Sequence, residues 1–212
     1  MPGLIKKEEF KDNCGFGLIA NINGVKSHKV IINSINALIS MTHRGGVGSD
    51  GKTGDGCGLL FDIDHKFFAD TVLKEQNIEI GEYFAIGQIF YYQDISKLLP
   101  KIKKILKSEN LVLAAYRKVP VDEKILGEIA HNCMPEIFQL FIKPFEKDFN
   151  HDVFETGLIQ ARKYIEEIYM DDNKLYVCSM SSKTIVYKGL MLPNAIKEFY
   201  VDLNQESFRA ST

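Results

Sequence analysis

The sequence predicts one domain in which helices alternate with strands. At 212 residues and 24.1 kDa the chain is long enough for a sizeable core and too short for a large multidomain assembly. Hydrophobic residues make up 45% and charged residues 25%, the balance of an ordinary folded protein. Apolar runs of strand length alternate with segments whose apolar residues recur every three or four positions. The last two strand-like runs, 175–179 and 184–188, are separated by Ser181-Ser182 and read as a hairpin. The alternation fits a parallel, doubly wound sheet, and the closing hairpin fits equally a mixed or antiparallel sheet covered by helices. Periodicity leaves both open.

Residues 16–21 form a short apolar run that ends at Asn23-Gly24, the pattern of a strand entering a tight turn. Ser27 is placed to cap a helix in which Val30, Ile31, Ile35, Leu38, Ile39 and Thr42 recur at helical spacing until Gly45-Gly46. The loop that follows, GGVGSDGKTGDGCG, carries seven of the chain's 16 glycines, which predicts backbone held at positive φ or approached closely by other atoms. A buried strand over 57–63 and a helix over 64–75 come next, then a strand over 83–92 rich in Phe, Ile and Tyr. The alternation continues with a helix over 96–106, a strand over 111–119, a helix over 122–130 and a strand over 137–143. Residues 149–169 read as a long amphipathic helix. There is no internal repeat and no low-complexity linker.

Charge and cysteine usage narrow the function. With 26 basic and 28 acidic residues the net charge is -2, so no basic excess points to nucleic acid or an anionic membrane. Cys14, Cys57, Cys133 and Cys178 stand far apart, with no pair at zinc-ligand or redox-motif spacing. No apolar run approaches the roughly 18 residues of a membrane span, and residues 1–13 lack a signal peptide's apolar core. The expected setting is the cytoplasm, with reduced thiols.

Two phosphate-binding spellings fall in the glycine loop. Gly46 to Thr53 satisfies G-x-x-x-x-G-K-T, and its first six residues satisfy G-x-G-x-x-G. Both need a strand before the loop and a helix after it, because the helix's first amides and its dipole face the phosphates. Here a helix precedes and a strand follows, so the loop is expected to serve another purpose. A different series is more informative. Cys14-Gly15-Phe16-Gly17 opens the first strand, Met41-Thr42-His43-Arg44-Gly45-Gly46 ends the helix, and Thr53-Gly54-Asp55-Gly56-Cys57-Gly58 leads into the next strand.

That ordered series resembles the class II glutamine amidotransferases, most closely the amino-terminal glutaminase domain of glutamate synthase large subunits. The segments Met134 to Ile142 and Tyr187-Lys188-Gly189-Leu190-Met191 are also similar, so the likeness runs from Cys14 to the end of the sequence. It implies an α+β fold, the αββα sandwich of N-terminal nucleophile hydrolases. It also implies that residues 1–13 are a leader, that 14–212 are part of the glutaminase domain, and that Cys14 is the nucleophile once the leader is removed. An α-amine titrates near 7.7 to 8.0 and a thiol near 8.5, so a proton can pass between the two groups of one residue at neutral pH. By the same resemblance Arg44 and Gly45 help build the glutamine pocket and Asp55 organises the loop. His43 is expected to be structural, and Cys57, Cys133 and Cys178 to be small apolar side chains.

The family's His-Asn-Gly-Glu motif, source of the oxyanion hole, does not occur in this sequence; His131-Asn132-Cys133 matches only its opening. The sequence therefore reads as about the first half of a glutaminase domain, a poor catalyst alone and poorly soluble. The complete large subunit is expected to bind FMN and an iron-sulfur cluster beyond these residues. It would take electrons through an NADPH-oxidising small subunit or from another donor, and use the ammonia to convert 2-oxoglutarate to glutamate. A separate glutaminase subunit docking on a synthase, and a noncatalytic remnant of the family, remain alternatives.

Overall fold

The computed structural model describes residues 15–146, 148–168 and 174–212. In chain order its elements are α1 (His28–Ser40), β1 (Cys57–Asp62), α2 (His65–Gln76), β2 (Ala85–Tyr91), α3 (Ile95–Ser108) and β3 (Leu111–Lys118). Then come α4 (Glu128–Asn132), β4 (Glu136–Pro144), α5 (His151–Glu167), β5 (Leu175–Ser181), β6 (Thr184–Gly189) and α6 (Ile196–Phe199). Single 3-10 turns lie at Thr42–Arg44, Glu123–Ile125, Pro193–Ala195 and Val201–Asn204.

The strands form an α+β architecture with two antiparallel sheets among the described residues, one in the order β3-β4-β2-β5 and one pairing β1 with β6. The antiparallel pairings exclude the doubly wound alternative. Strand β4 shows why its sequence is almost continuously apolar. Ile137 and Phe141 face a cluster shared with β1, β6, α1 and α2, while Phe138, Leu140 and Ile142 face a second cluster shared with α3 and α5. Both faces are covered, so alternation of side chains produces no polar face. Among the described residues no helix is long and apolar enough to cross a membrane.

The outer helices are defined by their caps and stripes. In α3, Leu98, Ile102 and Leu106 are buried at four-residue spacing, and the Asp94 carboxylate accepts the Ser96 amide at 2.9 Å. In α5, Phe154, Leu158, Ala161 and Ile165 are buried, and Asn150 caps the helix by accepting the amides of Asp152 and Val153. Phe149, just before that cap, packs on Phe154 with ring centroids 5.5 Å apart, a staple that sets the entry angle of the chain. The expected end of this helix at Tyr169 lies outside the described residues.

Four local expectations change. Residues 16–21 are not a strand among the described residues: Phe16 is 96% exposed and Ile22 100%, and a single backbone bond, from the Asn21 amide to the Ser211 carbonyl at 2.8 Å, makes no ladder. Ser27 occupies the N-cap position of α1, yet its side chain does not cap. Its backbone instead pairs with Ala210 through bonds of 2.9 and 3.3 Å. The helix expected over 122–130 divides into the turn Glu123–Ile125 and α4, because Gly127 between them is pressed against the carboxylate of Asp50 and the hydroxyl of Thr53. The strands flanking Ser181-Ser182 are not a hairpin. Strand β5 stays in the four-stranded sheet while β6 crosses to pair with β1, and the crossing is held by the Glu155 carboxylate, which accepts the Ser182 amide at 2.7 Å and both serine hydroxyls.

A row of polar side chains stitches the two sheets together. Arg117, Gln139, Gln88 and Ser179 lie opposite one another across β3, β4, β2 and β5. The Arg117 Nε donates to Gln139 at 2.8 Å, and Gln139 Nε2 donates to Gln88 at 3.0 Å. Gln88 then donates to the Val186 carbonyl at 2.7 Å, and the Ser179 hydroxyl accepts the Val186 amide at 3.3 Å. Arg117 also forms a buried ion pair with Asp202, whose carboxylate accepts the Tyr187 hydroxyl at 3.1 Å. No buried side-chain polar atom among the described residues lacks a partner. A one-residue slip of any of these strands would break the row, so it fixes register as well as satisfying buried groups.

Candidate functional site

Between the end of α1, the glycine loop and the face of the two sheets lies a cavity of about 900 Å³. Gly15, Met41 and Arg44 form one side, and the loop residues Gly45, Gly46 and Gly54 to Cys57 form its floor. Ala130 and Cys133 to Pro135, in and just after α4, also line it, as do Leu190 to Pro193.

The loop is a small hairpin held by its own polar atoms. Val47 and Gly54 form an antiparallel bridge, the Gly48 amide donates to the Thr53 carbonyl at 2.7 Å, and the Gly46 amide donates to the Asp55 carboxylate at 2.6 Å. Glycine is required at 54 by close approach: a Cβ there would lie 2.6 Å from the Met191 carbonyl oxygen. At Gly56 it is required by conformation, with φ at +128°.

At the loop's tip Asp50 accepts four hydrogens. Its carboxylate takes the Thr53 hydroxyl at 2.6 Å, the Thr53 amide at 2.8 Å, the Lys52 amide at 3.0 Å and the Ile129 amide, across in α4, at 3.0 Å. These bonds, the Thr53 hydroxyl foremost, hold the Asp50 carboxyl far below the ordinary carboxylate range, so it is charged at neutral pH. A lowered folded-state value means that its contribution to stability is complete above the ordinary value near 3.8 and is lost as the pH falls through the folded one. Amides that a phosphate loop would offer to a ligand are here occupied by an internal carboxylate, so the G-x-x-x-x-G-K-T spelling has no phosphate cradle behind it.

The expected site residues fall as follows. Cys14 lies outside the described residues. Its neighbour Gly15 borders the cavity, and a Cβ there would lie 3.3 Å from both the Arg44 Cγ and the Met41 sulfur. The chain next to Cys14 therefore runs against Arg44. Arg44, Gly45 and Asp55 line the same cavity, whereas His43 does not. The Arg44 side chain is exposed and makes no ion pair among the described residues, leaving its guanidinium available to a carboxylate. Sequence reasoning missed the cavity lining at Cys133 to Pro135 and the anchoring pair Asp50 and Thr53. The signal for the pair was Asp50 three residues before Thr53 in a glycine-rich turn, an Asx-turn pattern.

The remaining thiols differ sharply. Burial pushes Cys57 up to about 11 and Cys178 up to about 12, while Cys133 is exposed. Among the described residues no group of three His, Cys, Asp or Glu side chains converges on a point that would hold a metal ion.

The family profile described as glutamine amidotransferases class-II matches residues 14–212, beginning at Cys14. The chain belongs to the class II glutamine amidotransferases. Among individual relatives, this amidotransferase chain is 36% identical to glutamate synthase [NADH] of Saccharomyces cerevisiae, over 98% of its own length and 10% of the relative's. It is 37% identical to ferredoxin-dependent glutamate synthase 1, chloroplastic/mitochondrial, of Arabidopsis thaliana, over 93% of the chain and 12% of the relative. Against the glutamate synthase [NADPH] large chain of Bacillus subtilis the identity is 35%, covering 97% and 14%. The amidotransferase chain thus spans between a tenth and a seventh of the length of these relatives.

Proposed function

We propose that this chain hydrolyses glutamine for a glutamate synthase, with Cys14 as nucleophile and Arg44, Gly45 and Asp55 in the glutamine pocket. The observation that carries the reading is that the family match begins at Cys14 while Gly15, Arg44, Gly45 and Asp55 border one cavity. Removal of residues 1–13 frees the Cys14 α-amine, which takes the thiol's proton. The thiolate attacks the side-chain carbonyl carbon of glutamine, the C–N bond breaks, and the departing nitrogen leaves as ammonia with that proton. Water then cleaves the γ-glutamyl thioester, giving glutamate and restoring the thiol. Arg44 is assigned to the substrate's carboxylate, and Asp55 holds the floor of the pocket through Gly46.

The proposed domain, 14–212, belongs to an N-terminal nucleophile fold of αββα type, a reading supported by helices α3 and α5 on one face of the four-stranded sheet and the two-stranded sheet on the other. FMN and an iron-sulfur cluster are assigned to the synthase portion of the complete protein. The synthase portion would use the ammonia to aminate 2-oxoglutarate, with electrons from an NADPH-oxidising subunit or another donor.

Thiol labelling tests the nucleophile. In the complete gene product at pH 7.5, a glutamine analogue carrying an electrophilic ketone is expected to modify Cys14, and excess glutamine to protect it. Simple alkylation is expected to reach Cys133 and to spare Cys57 and Cys178, whose thiols stay protonated. A leader still attached to an analogue-labelled Cys14, or no labelling at Cys14 in active protein, would overturn the assignment.

A further inference from the structure

The geometry points to Asp50 as a positioning residue that, with Thr53, fastens the loop lining the glutamine pocket to α4, which lines the same pocket. The inference rests on the glutaminase reading above and adds a residue that the family resemblance did not indicate. Asp50 does not line the cavity. What it does is join the two elements that do. One is the loop hairpin, whose base, Gly46 with Gly54 and Asp55, lines the cavity beside Arg44 and Gly45 of the preceding turn. The other is α4, whose end carries Ala130 and Cys133 to Pro135.

The join is built from two side-chain groups of the loop and two amides of the helix, linked by three hydrogen bonds. Asp50 accepts the Ile129 amide at 3.0 Å, the Thr53 hydroxyl accepts the Ala130 amide at 3.2 Å, and that hydroxyl donates to Asp50 at 2.6 Å. Each acceptor is thereby oriented by the other. Thr53 is buried, and Gly127 at the start of α4 is the residue that allows the contact, since a Cβ there would meet the Asp50 carboxylate and lie 2.6 Å from the Thr53 hydroxyl. A second tertiary hold on the hairpin is the close packing of Gly54 on Met191 at its base. Releasing the tip would let the hairpin sample orientations in which Gly46 and Asp55 no longer line the glutamine pocket.

A binding site that is competent only part of the time shows an apparent dissociation constant raised by the inverse of that fraction, with turnover at saturation unaffected. Substitution at the join should therefore act on KM and spare kcat. Two substitutions isolate it. Asp50→Asn keeps an oxygen for the loop amides and sets its own NH₂ against the Ile129 amide and the Thr53 hydroxyl, and Thr53→Val removes the hydroxyl with little change in shape. Thr53→Ser restores it.

The experiment measures glutamine-dependent ammonia release by the complete gene product. Asp50→Asn and Thr53→Val are each expected to raise KM for glutamine about tenfold with kcat within about twofold. Thr53→Ser is expected to stay near the wild type, and the double variant to be no worse than the weaker single, because both break one unit. If Asp50→Asn does not fold, the comparison of Thr53→Val with Thr53→Ser decides alone. An unchanged KM in folded Thr53→Val, or a fall in kcat at unchanged KM, would overturn the inference while leaving the glutaminase reading intact. A wild-type protein with no glutamine turnover would overturn that reading and the role of Asp50 with it.

Discussion

Cys14→Ala is expected to lower kcat for glutamine hydrolysis in the complete gene product by about 10⁴-fold or more. The size follows from what the thiol does. In the proposed mechanism it supplies the attacking atom and stores the acyl group, so its loss removes the covalent route altogether and leaves only what binding and orientation contribute to direct attack by water. Cys14→Ser is expected to fall nearly as far, because the hydroxyl holds its proton much more firmly than the thiol and the α-amine beside it is too weak a base to take it. Ammonia release measured at saturating glutamine checks both, and a Cys14→Ala protein retaining a tenth of the wild-type rate would dismiss the nucleophile. Arg44 and Asp55, proposed to lie in the glutamine pocket, should behave differently, since groups that bind substrate in the ground state change KM first.

The largest stability effect is expected at Asp202. Its carboxylate pairs with a guanidinium that is 4% exposed and also accepts the Tyr187 hydroxyl. Asp202→Ala leaves Arg117 charged and buried without its nearest counter-charge, which typically costs about 3–5 kcal/mol. For a chain of this length that corresponds to a fall in Tm on the order of 10 °C. Desolvation, with the neighbouring Asp202 charge adding to it, already holds the Tyr187 hydroxyl well above its ordinary value, so this tyrosine stays neutral and takes no part in balancing the arginine. Glu75, the other carboxylate near Arg117, is 3.4 Å away and 42% exposed, and Glu75→Ala is expected to cost about 1 kcal/mol or less. Thermal denaturation of the two variants side by side separates a buried pair from a screened one. Equal shifts would mean that water reaches Arg117.

Much of the fold was legible because local pattern and tertiary placement agree. Val30, Ile31 and Ile35 recur at helical spacing and are the buried residues of α1, and Asp64 opens α2 by accepting the Phe67 amide. What could not be read is how the strands are shared between sheets. Ser181-Ser182 marks a reversal whether the flanking strands pair with each other or with different partners, and the deciding bonds come from Glu155, far away in sequence. Gln88, Gln139 and Arg117 were equally opaque. A polar residue in a strand ordinarily marks a solvated face, and only the second sheet above them turns that face into an interior one. In the site, the order of motifs brought Arg44, Gly45 and Asp55 to one cavity, whereas Asp50 and Thr53 stayed hidden beneath a phosphate-loop spelling whose amides are already spent on the chain itself.

The division of strands between sheets also bears on the timing of assembly. In the four-stranded sheet, β3 and β4 come from neighbouring stretches, and β2 meets β4 45–57 residues later and β5 84–95 residues later. In the smaller sheet, Cys57 must find Gly189 and Asp62 must find Thr184, more than a hundred residues later. Contacts of such long range repay their loop-closure entropy late, so the central layer is expected to condense before β1 and β6 meet. Amide exchange should then proceed through lower-energy openings in β1 and β6 than in β2 and β4, and equal protection in both sheets would contradict that order. At about 5–20 residues per second of synthesis, the chain beside Cys14 waits roughly 10 s or more after leaving the ribosome for the strand that completes its surroundings. On the proposed reading, Cys14 has no complete pocket during that interval, because Leu190 to Pro193, which follow β6, also line it.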